Sequence, residues 1–297
     1  MNKKIAIIGY GVVGKAMVNM TKDHYDIRVK DVDKYYCYLK EEMETEGLYE
    51  VAIGKDQVQV WEAINECDLA IICVPTNMNE DGSCDTSIVE DVISKLETPV
   101  ILIKSTIEPG TTDRLKEKYG KRICFSPEYA GESSYYTPPE YQSPTDMKQH
   151  PYVIIGGERE DRKYIIDLLT PVLGPTKKYF QCTAKEAEVI KYAENTFFAT
   201  KITYTNELKK ICDALDVDFY SVREGWLLDP RICPMHTMVF DDKPGWSGKC
   251  FPKDTCAFIK SSIEGGYRPQ FLIDMIKSNA RHSNKESMKK LPEPFDK

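Results

Sequence analysis

Short apolar runs recur along the first half of the chain, separated by segments long enough to form helices. The runs lie at residues 4–8, 27–29, 69–74, 100–103, 122–125 and 152–155. Apolar runs without polar alternation are typical of strands that are covered on both faces, as in parallel sheets. The pattern therefore predicts an α/β domain built on a Rossmann-like, doubly wound parallel sheet.

The pattern changes near residue 183, where apolar positions begin to recur at helical spacing. Thr183 is the predicted N-cap of this helix, with Glu186 as its capping-box partner three residues later. The helical pattern continues for about 30 residues, which is long for a globular helix and indicates a central or dimer-forming helix. A last helix is predicted over residues 269–283. We therefore expect a Rossmann-like domain over residues 1–183 and an all-α central domain over residues 184–297.

Composition and charge narrow the function classes. The 297 residues are 41% hydrophobic and 29% charged, which is typical of a soluble globular protein of about two domains. The net charge of −7 offers no electrostatic footprint for a nucleic acid. We expect no membrane span, no signal peptide and a cytoplasmic protein. Ten dispersed cysteines without a C-x-x-C pair predict free thiols and no metal site.

A glycine-rich sequence follows the first predicted strand and opens a helix. The predicted cofactor contacts in it are Gly9, Gly11, Val12, Val13 and Gly14. In this context the spacing G-x-G-x-x-G predicts a turn that binds the pyrophosphate of a dinucleotide at a helix N-terminus. Asp31, at the end of the next strand, is the predicted ribose ligand and favours NAD, with Asp33 as the alternative and Lys34 assigned to the same site. A glycine-rich turn without a ligand is the competing interpretation.

Two further patterns carry candidate chemistry. Lys191 and Asn195 lie four residues apart on one face of the long helix, where an ammonium and a carboxamide can stabilise an oxyanion. Cys250 lies in a glycine-preceded loop four residues before Asp254 and is a candidate nucleophile. Taken alone, each pattern occurs more often without a function, as a surface pair or a packed thiol.

Five blocks, in order, resemble the UDP-glucose/GDP-mannose dehydrogenase family. They lie at residues 7–14, 104–111, 126–132, 191–208 and 229–254. Together they span nearly the whole chain, and the segment Cys-Phe-Pro-Lys-Asp at residues 250–254 is the most specific. Two residues depart from the family pattern beside the cysteine. Ser247 stands where the family usually has glycine, and Lys249 adds positive charge next to the predicted nucleophile.

The resemblance implies an NAD-dependent, four-electron oxidation of a UDP-sugar primary alcohol to the acid. Cys250 would form a thiohemiacetal and then a thioester, with UDP-glucose and UDP-glucuronate as the expected substrate and product. The implied catalytic residues are Cys250, Lys191, Asn195, Asp254, Glu128 and Thr106. The implied cofactor contacts beyond the glycine turn are Pro75, Thr76, Thr106, Glu132 and Lys253. The implied substrate contacts are Glu128, Tyr129, Lys191, Asn195, Arg231, Trp246 and Cys250.

Several alternatives stay open. A two-domain β-hydroxyacid dehydrogenase shares the chain length and a Lys-x-x-x-Asn helix, and a non-catalytic NAD-binding homologue would keep the same motifs. UDP-glucose, a UDP-N-acetylhexosamine and GDP-mannose all remain candidate substrates. The resemblance also implies a homodimer through the long helix after residue 183. The family usually carries a third, nucleotide-binding domain, and 297 residues leave no room for it. We therefore expect weakened or altered substrate binding, a partner chain that supplies this domain, or a chain that has been cut at the domain boundary.

Overall fold

A computed structural model describes most of the chain. The described residues are 3–32, 34–38, 49–50, 57–129, 146–283 and 292. The candidates Asp33 and Glu132 lie outside these ranges. The chain forms two compact units. The first unit comprises Met1–Thr76 and Asp85–Lys191, and the second comprises Asn77–Cys84 and Tyr192–Lys297.

The first unit is built on one sheet, in which nine strands fall within the described residues. The strands are β1 (Lys4–Ile8), β2 (Asp26–Asp31), β3 (Lys34–Tyr38), β4 (Tyr49–Glu50), β5 (Leu69–Ile72), β6 (Ile101–Ile103), β7 (Ile123–Phe125), β8 (Tyr152–Gly156) and β9 (Lys178–Cys182). Their order is β4-β3-β2-β1-β5-β6-β7-β8-β9. The five central strands are parallel to one another, in the order β2-β1-β5-β6-β7. Strands β8 and β9 are also parallel to each other.

Helices cover the sheet and form the second unit. They are α1 (Val12–Thr21), α2 (Gln57–Asn65), α3 (Ser87–Lys95), α4 (Thr111–Tyr119), α5 (Arg159–Leu173), α6 (Ala184–Ala214), α7 (Phe219–Trp226), α8 (Cys250–Glu264) and α9 (Gln270–His282). None of the helices within the described ranges is long and apolar enough to cross a membrane.

Alternate residues of β1 face two different cores. Ile5 and Ile7 pack with apolar residues of α1 and α5 on one face of the sheet. Ala6 and Ile8 pack with residues of α2, α3 and α4 on the other face. A strand buried on both faces needs apolar side chains at every position, which explains why these strands read as continuous apolar runs. The predicted α/β, Rossmann-like fold is therefore confirmed.

The long helix begins where the sequence predicts. The Oε2 atom of Glu186 accepts a hydrogen bond from the Thr183 N–H at 2.8 Å, and the Thr183 hydroxyl accepts one from the Glu186 N–H at 3.3 Å. These reciprocal bonds confirm the capping box. Helix α6 then continues for 31 residues.

The sheet is less regular than a purely parallel one, and four features of the structure differ from the sequence-based prediction. Strand β3 is antiparallel to both neighbours, and β7 and β8 are antiparallel to each other. Strand β9 lies at an edge and is mostly exposed, so its sequence lacks an apolar run. Helix α8 begins at Cys250, which was predicted to lie in a loop; Pro252 falls in its first turn, where proline is tolerated.

Candidate functional site

The glycine turn between β1 and α1 has the shape that a dinucleotide phosphate requires. Gly9 has a φ of +95°, and a Cβ atom there would lie 2.6 Å from the Cys73 carbonyl oxygen. A Cβ atom on Gly14 would lie 2.0 Å from the Gly9 carbonyl oxygen. At Gly11, by contrast, a Cβ atom would meet no described atom within 4 Å. Glycine is therefore required by packing at the first and third positions and leaves open space at the second.

The N-terminus of α1 can hold an anion. Gly11 is the N-cap, and no described side chain caps the helix. Gly11 and Val12 are exposed, and Val13 is half-buried. The first amides of a helix point outward along its axis and attract negative charge. Together with the open space beside Gly11, they fit the pyrophosphate of NAD.

Other predicted cofactor contacts lie at the same edge of the sheet. Asp31 ends β2, which is parallel to β1, and it pairs in register with Lys34 at the start of β3. Pro75 and Thr76 follow β5, and Thr106 follows β6. The Thr76 hydroxyl donates a hydrogen bond to the Thr106 carbonyl oxygen at 2.8 Å. Because ligands of open α/β sheets bind at the carboxyl ends of the strands, this placement fits the predicted roles.

Two lysines hold the segment that follows β7. The buried Lys104 ammonium donates to the Ser126 hydroxyl at 3.1 Å and to the Pro127 carbonyl at 3.0 Å. Burial lowers the pKa of Lys104. The Lys191 ammonium donates to the Glu128 carbonyl at 2.6 Å, and it lies 5.0 Å from the centre of the Tyr129 ring. The structure thus brings three predicted residues of the first unit together.

Glu188 is a buried residue that the sequence analysis did not single out. Its carboxyl oxygens accept hydrogen bonds from the Gly110 N–H at 2.5 Å, the Thr112 N–H at 2.8 Å and the Thr112 hydroxyl at 2.5 Å. Burial raises the pKa of Glu188 to about 7. The carboxyl group therefore caps α4 and fixes the end of the segment that carries Thr106. Its partners lie 78 and 76 positions earlier in the chain, so no local pattern in the sequence marked it.

The second unit places Cys250 beside a buried ion pair. Cys250 is the first residue of α8 and is exposed. Asp254, one turn later, is 1% exposed. It accepts hydrogen bonds from the Asn195 Nδ2 atom and from the Lys253 ammonium, both at 2.5 Å. The structure thus brings four predicted residues together, and they lie on two helices, α6 and α8.

Positive charge lies close to Cys250. Burial acts to lower the pKa of Lys253, but the Asp254 carboxylate and the nearby Cys84 and Cys250 thiols outweigh it and raise that pKa. Lys253 therefore carries its positive charge within one turn of the thiol. The N-terminus of a helix adds a partial positive charge at the same position. A cysteine with this surrounding suits nucleophilic attack on an aldehyde.

Two predicted substrate contacts lie elsewhere in the second unit. Arg231 is exposed and forms a salt bridge with Asp229 at 2.5 Å. Trp246 is 3% exposed and packs in a core formed by α6, α8 and α9. Its indole N–H donates to the Thr203 hydroxyl at 2.8 Å. This burial favours a packing role for the Trp246 side chain, while a substrate contact by either residue stays a prediction.

Sequence comparisons agree with the two-part organisation of these groups. Residues 3–171 match the NAD binding domain of the UDP-glucose/GDP-mannose dehydrogenase family. Residues 185–281 match the central domain of the same family. The glycine turn, Thr106 and Glu128 fall in the first match, and Lys191, Asn195, Cys250 and Asp254 fall in the second.

A curated relative and two solved structures are similar to the chain. A UDP-glucose 6-dehydrogenase of Haloferax volcanii is 32% identical over 242 residues, which are 74% of this chain and 54% of that protein. A UDP-glucose dehydrogenase structure from Pyrobaculum islandicum superposes with a TM-score of 0.74 at 24% identity, over 95% of this chain and 68% of that one. The 3-hydroxyisobutyrate dehydrogenase of Mycobacterium tuberculosis shares the fold, with a TM-score of 0.62 at 17% identity and 97% coverage of both chains.

The chain spans about half the length of the curated relatives that it matches first. Within that span, the family's two domains account for nearly all of the chain between residues 3 and 281. The NAD-binding turn and the cysteine with its lysine and aspartate are both in place. The chain therefore belongs to the UDP-glucose/GDP-mannose dehydrogenase family.

Proposed function

We propose that the protein is an NAD-dependent nucleotide-sugar dehydrogenase. It oxidises the primary alcohol of a UDP-sugar to the acid, with UDP-glucose as the expected substrate and UDP-glucuronate as the product. The observation that carries the proposal is Cys250, an exposed thiol at the start of α8 with Lys253 and Asp254 in the same turn. A dehydrogenase that only converts alcohol to carbonyl has no use for such a nucleophile.

The reaction proceeds in two oxidations. NAD, when bound, accepts one hydride in each of them. In the first, the sugar alcohol loses a hydride and a proton and becomes an aldehyde. The Cys250 thiolate then adds to the aldehyde, which creates an sp³ carbon with a hydride to donate. Loss of that hydride leaves a thioester, and water hydrolyses the thioester to the acid and frees the thiolate.

Lys191 and Asn195 are assigned to the oxygen atom that becomes negative in these steps. An ammonium group has three N–H donors, and a carboxamide has two. Lys191 uses one toward the Glu128 carbonyl, and Asn195 uses one toward Asp254. Within the part of the chain that the structure describes, each therefore keeps a donor for an alkoxide or oxyanion, a group that such donors stabilise strongly.

Asp254 and Glu128 are the proposed acid–base residues. Both carboxyl groups lie in the interior of their units. Burial next to a hydrogen-bond donor holds such a group in one orientation, which proton transfer through a water molecule requires. Thr106, tied to Thr76, is the proposed partner for that water.

The test is a panel of UDP- and GDP-sugars followed by NADH absorbance, with mass spectrometry of the product. We expect two NADH per sugar and a uronic acid. Cys250→Ala should abolish acid formation, whereas Cys233→Ala removes the other exposed thiol and should leave the rate unchanged. Absence of NADH with every sugar nucleotide would reject the proposal, and NAD binding without turnover would favour a non-catalytic homologue.

A β-hydroxyacid dehydrogenase is the second candidate. It is favoured by the shared fold with the mycobacterial 3-hydroxyisobutyrate dehydrogenase, which covers nearly all of both chains. Cys250 separates the two candidates, because oxidation of a hydroxy acid to a keto acid forms no thioester. Full activity of Cys250→Ala on a small hydroxy acid would support this candidate over the first.

The exposed face of α6 supports the proposed homodimer. Phe197, Tyr204 and Ile211 recur at intervals of seven residues and are 60%, 57% and 48% exposed. Residues seven apart lie on the same side of a helix, so they form one apolar stripe. Sedimentation velocity should show a dimer, and Tyr204→Glu should shift it to a monomer. A wild-type monomer at tens of micromolar, the concentration at which weak dimers form, would contradict this proposal.

A further inference from the structure

Two buried asparagines hold the loop that precedes Cys250. Asn279, on α9, is 0% exposed. Its Oδ1 atom accepts a hydrogen bond from the Trp246 N–H, and its Nδ2 atom donates one to the Trp246 carbonyl, both at 2.9 Å. Asn206, on α6, accepts a hydrogen bond from the Gly245 N–H at 3.0 Å. Three side-chain bonds therefore fix two consecutive residues of the loop.

Gly245 permits the close approach of Asn279. Its φ is +72°, and a Cβ atom at this position would lie 2.5 Å from the Asn279 Oδ1 atom. Any larger residue would both strain the backbone and displace the amide that holds Trp246. The position of the Asn279 amide therefore requires glycine at residue 245, and we call this pair the matched contact.

Trp246 connects the loop held by the two asparagines to the first turn of α8. Its indole N–H is bonded to Thr203, and its ring packs edge-on against Phe251, with the ring centres 6.3 Å apart and the planes at 84°. Phe251 directly follows Cys250 in the first turn of α8. The loop is therefore anchored on one side of Cys250 by backbone bonds and on the other by an aromatic contact.

The orientation of this turn matters for the thiol. The partial positive charge of a helix N-terminus acts only within the first turn and fades when that turn frays. Cys250 itself is exposed. Between Trp246 and Cys250, Gly248 has a φ of +100°, and a Cβ atom at this position would meet no described atom within 4 Å.

We propose that Asn279, assisted by Asn206, is a positioning residue that holds the first turn of α8 so that the Cys250 thiolate is presented to the substrate. Its part in sugar oxidation rests on the proposed function, but its effect on the thiol does not. Neither asparagine touches the reacting atoms. Both act through the backbone of Gly245 and Trp246.

The main test compares alkylation of two thiols in Asn279→Ala. Iodoacetamide labelling at pH 7, followed by peptide mass spectrometry, gives the rate at Cys250 relative to Cys233, the other exposed thiol. We expect labelling of Cys250 to slow by about two- to fivefold, because the thiolate loses the helix N-terminus, with Cys233 unchanged. In NADH assays, kcat should fall about tenfold or more while KM for NAD stays within about twofold.

Asn65 offers a matched control. It also donates to a backbone carbonyl, that of Lys95 at 3.0 Å, and accepts from a backbone N–H, that of Glu97 at 2.8 Å. It lies in the first unit. Asn65→Ala should lower the melting temperature without changing the labelling rate of Cys250. Asn206→Ala removes one loop bond and leaves the two from Asn279, so it should slow labelling less and serves as a second variant if Asn279→Ala does not fold.

A double-mutant cycle tests the matched contact. Gly245→Ala should lower kcat strongly in the wild-type background, where its methyl group meets Asn279. In the Asn279→Ala background only the backbone strain remains, so the second loss should be smaller than additive. Additive losses would show that the two residues act separately.

The proposal is overturned if Asn279→Ala and Asn206→Ala melt earlier but keep both the wild-type labelling ratio and the wild-type kcat. Faster labelling of Cys250 would also overturn it, because the helix N-terminus would then not be what activates the thiol. If the wild-type protein oxidises no sugar, the labelling ratio still decides this proposal, so the two failures are distinguishable.

Discussion

Two buried carboxyl groups, one in each unit, are held in different ways. Glu188 is bonded by two backbone N–H groups and a hydroxyl, all of them neutral. Asp254 is bonded by a lysine ammonium and an amide. Burial raises the pKa of Glu188 to about 7, whereas the Asp254 carboxylate raises the pKa of its partner Lys253. The pKa of the carboxyl group held by neutral donors is thus raised by burial, whereas in the ion pair the carboxylate keeps the lysine charged.

The largest loss of stability is expected when Asp254 is removed from its ion pair with Lys253. Asp254→Ala leaves the Lys253 ammonium buried without its carboxylate, which should lower the free energy of unfolding by about 3–5 kcal/mol. Urea denaturation measures this change. Adding Lys253→Met should recover most of the lost stability but none of the oxidation. Equal stability of the single and double variants would show that the pair does not act as a unit.

The next effect is a pH dependence of stability that we expect from Glu188, the carboxyl group held by neutral donors. Because the pKa of Glu188 is raised in the folded state from 4.5 to about 7, the folded state binds the proton more tightly than the unfolded state. Its contribution is therefore complete below pH 4.5 and is lost as the pH rises through 7, by about 3 kcal/mol at most. The free energies of unfolding of wild type and Glu188→Gln, measured by denaturation across this range, should therefore converge as the pH falls. Parallel curves would contradict the assignment.

A smaller loss of stability is expected when Asp254 keeps its bond to Lys253 but loses the one from the Asn195 amide. Asn195→Ala removes one hydrogen bond to the Asp254 carboxylate, which should cost about 1.5–2 kcal/mol. It should also lower kcat by about a hundredfold, because an oxyanion donor is lost. Thr200→Ala, which removes a hydroxyl bond within the same helix, is the matched control and should change neither quantity appreciably.

The smallest effect belongs to an exposed carboxylate, Glu186, in the capping box of α6. Its bonds to the Thr183 backbone and hydroxyl lower its pKa, so its contribution is present above pH 4.5 and is lost as the pH falls. Glu186→Ala should lower the melting temperature at pH 7, but by less than Asp254→Ala or Asn195→Ala. A loss equal to that of Asp254→Ala would show that burial does not set the ranking.

The sequence predicted what is local and missed what is distant. The glycine turn and the capping box depend on residues within five positions, and the structure contains both. Cys250 and Asp254 were assigned by their spacing of four, although the helix that carries them was predicted as loop. Glu188 and Asn279 were missed because their partners lie 76 and 33 positions away. No local pattern marks such contacts.

The three glycines of the nucleotide turn are not equivalent. Gly9 and Gly14 are demanded by the protein itself, because side chains there would collide with its own backbone. Gly11 has a φ of −75°, which any residue can adopt, and a Cβ atom there would meet no described atom within 4 Å. Of the three glycines, Gly11 is therefore the one that the packing of the described residues does not require. The absence of a side chain at residue 11 is explained by the close approach of the dinucleotide phosphate to the backbone, not by the packing of the protein.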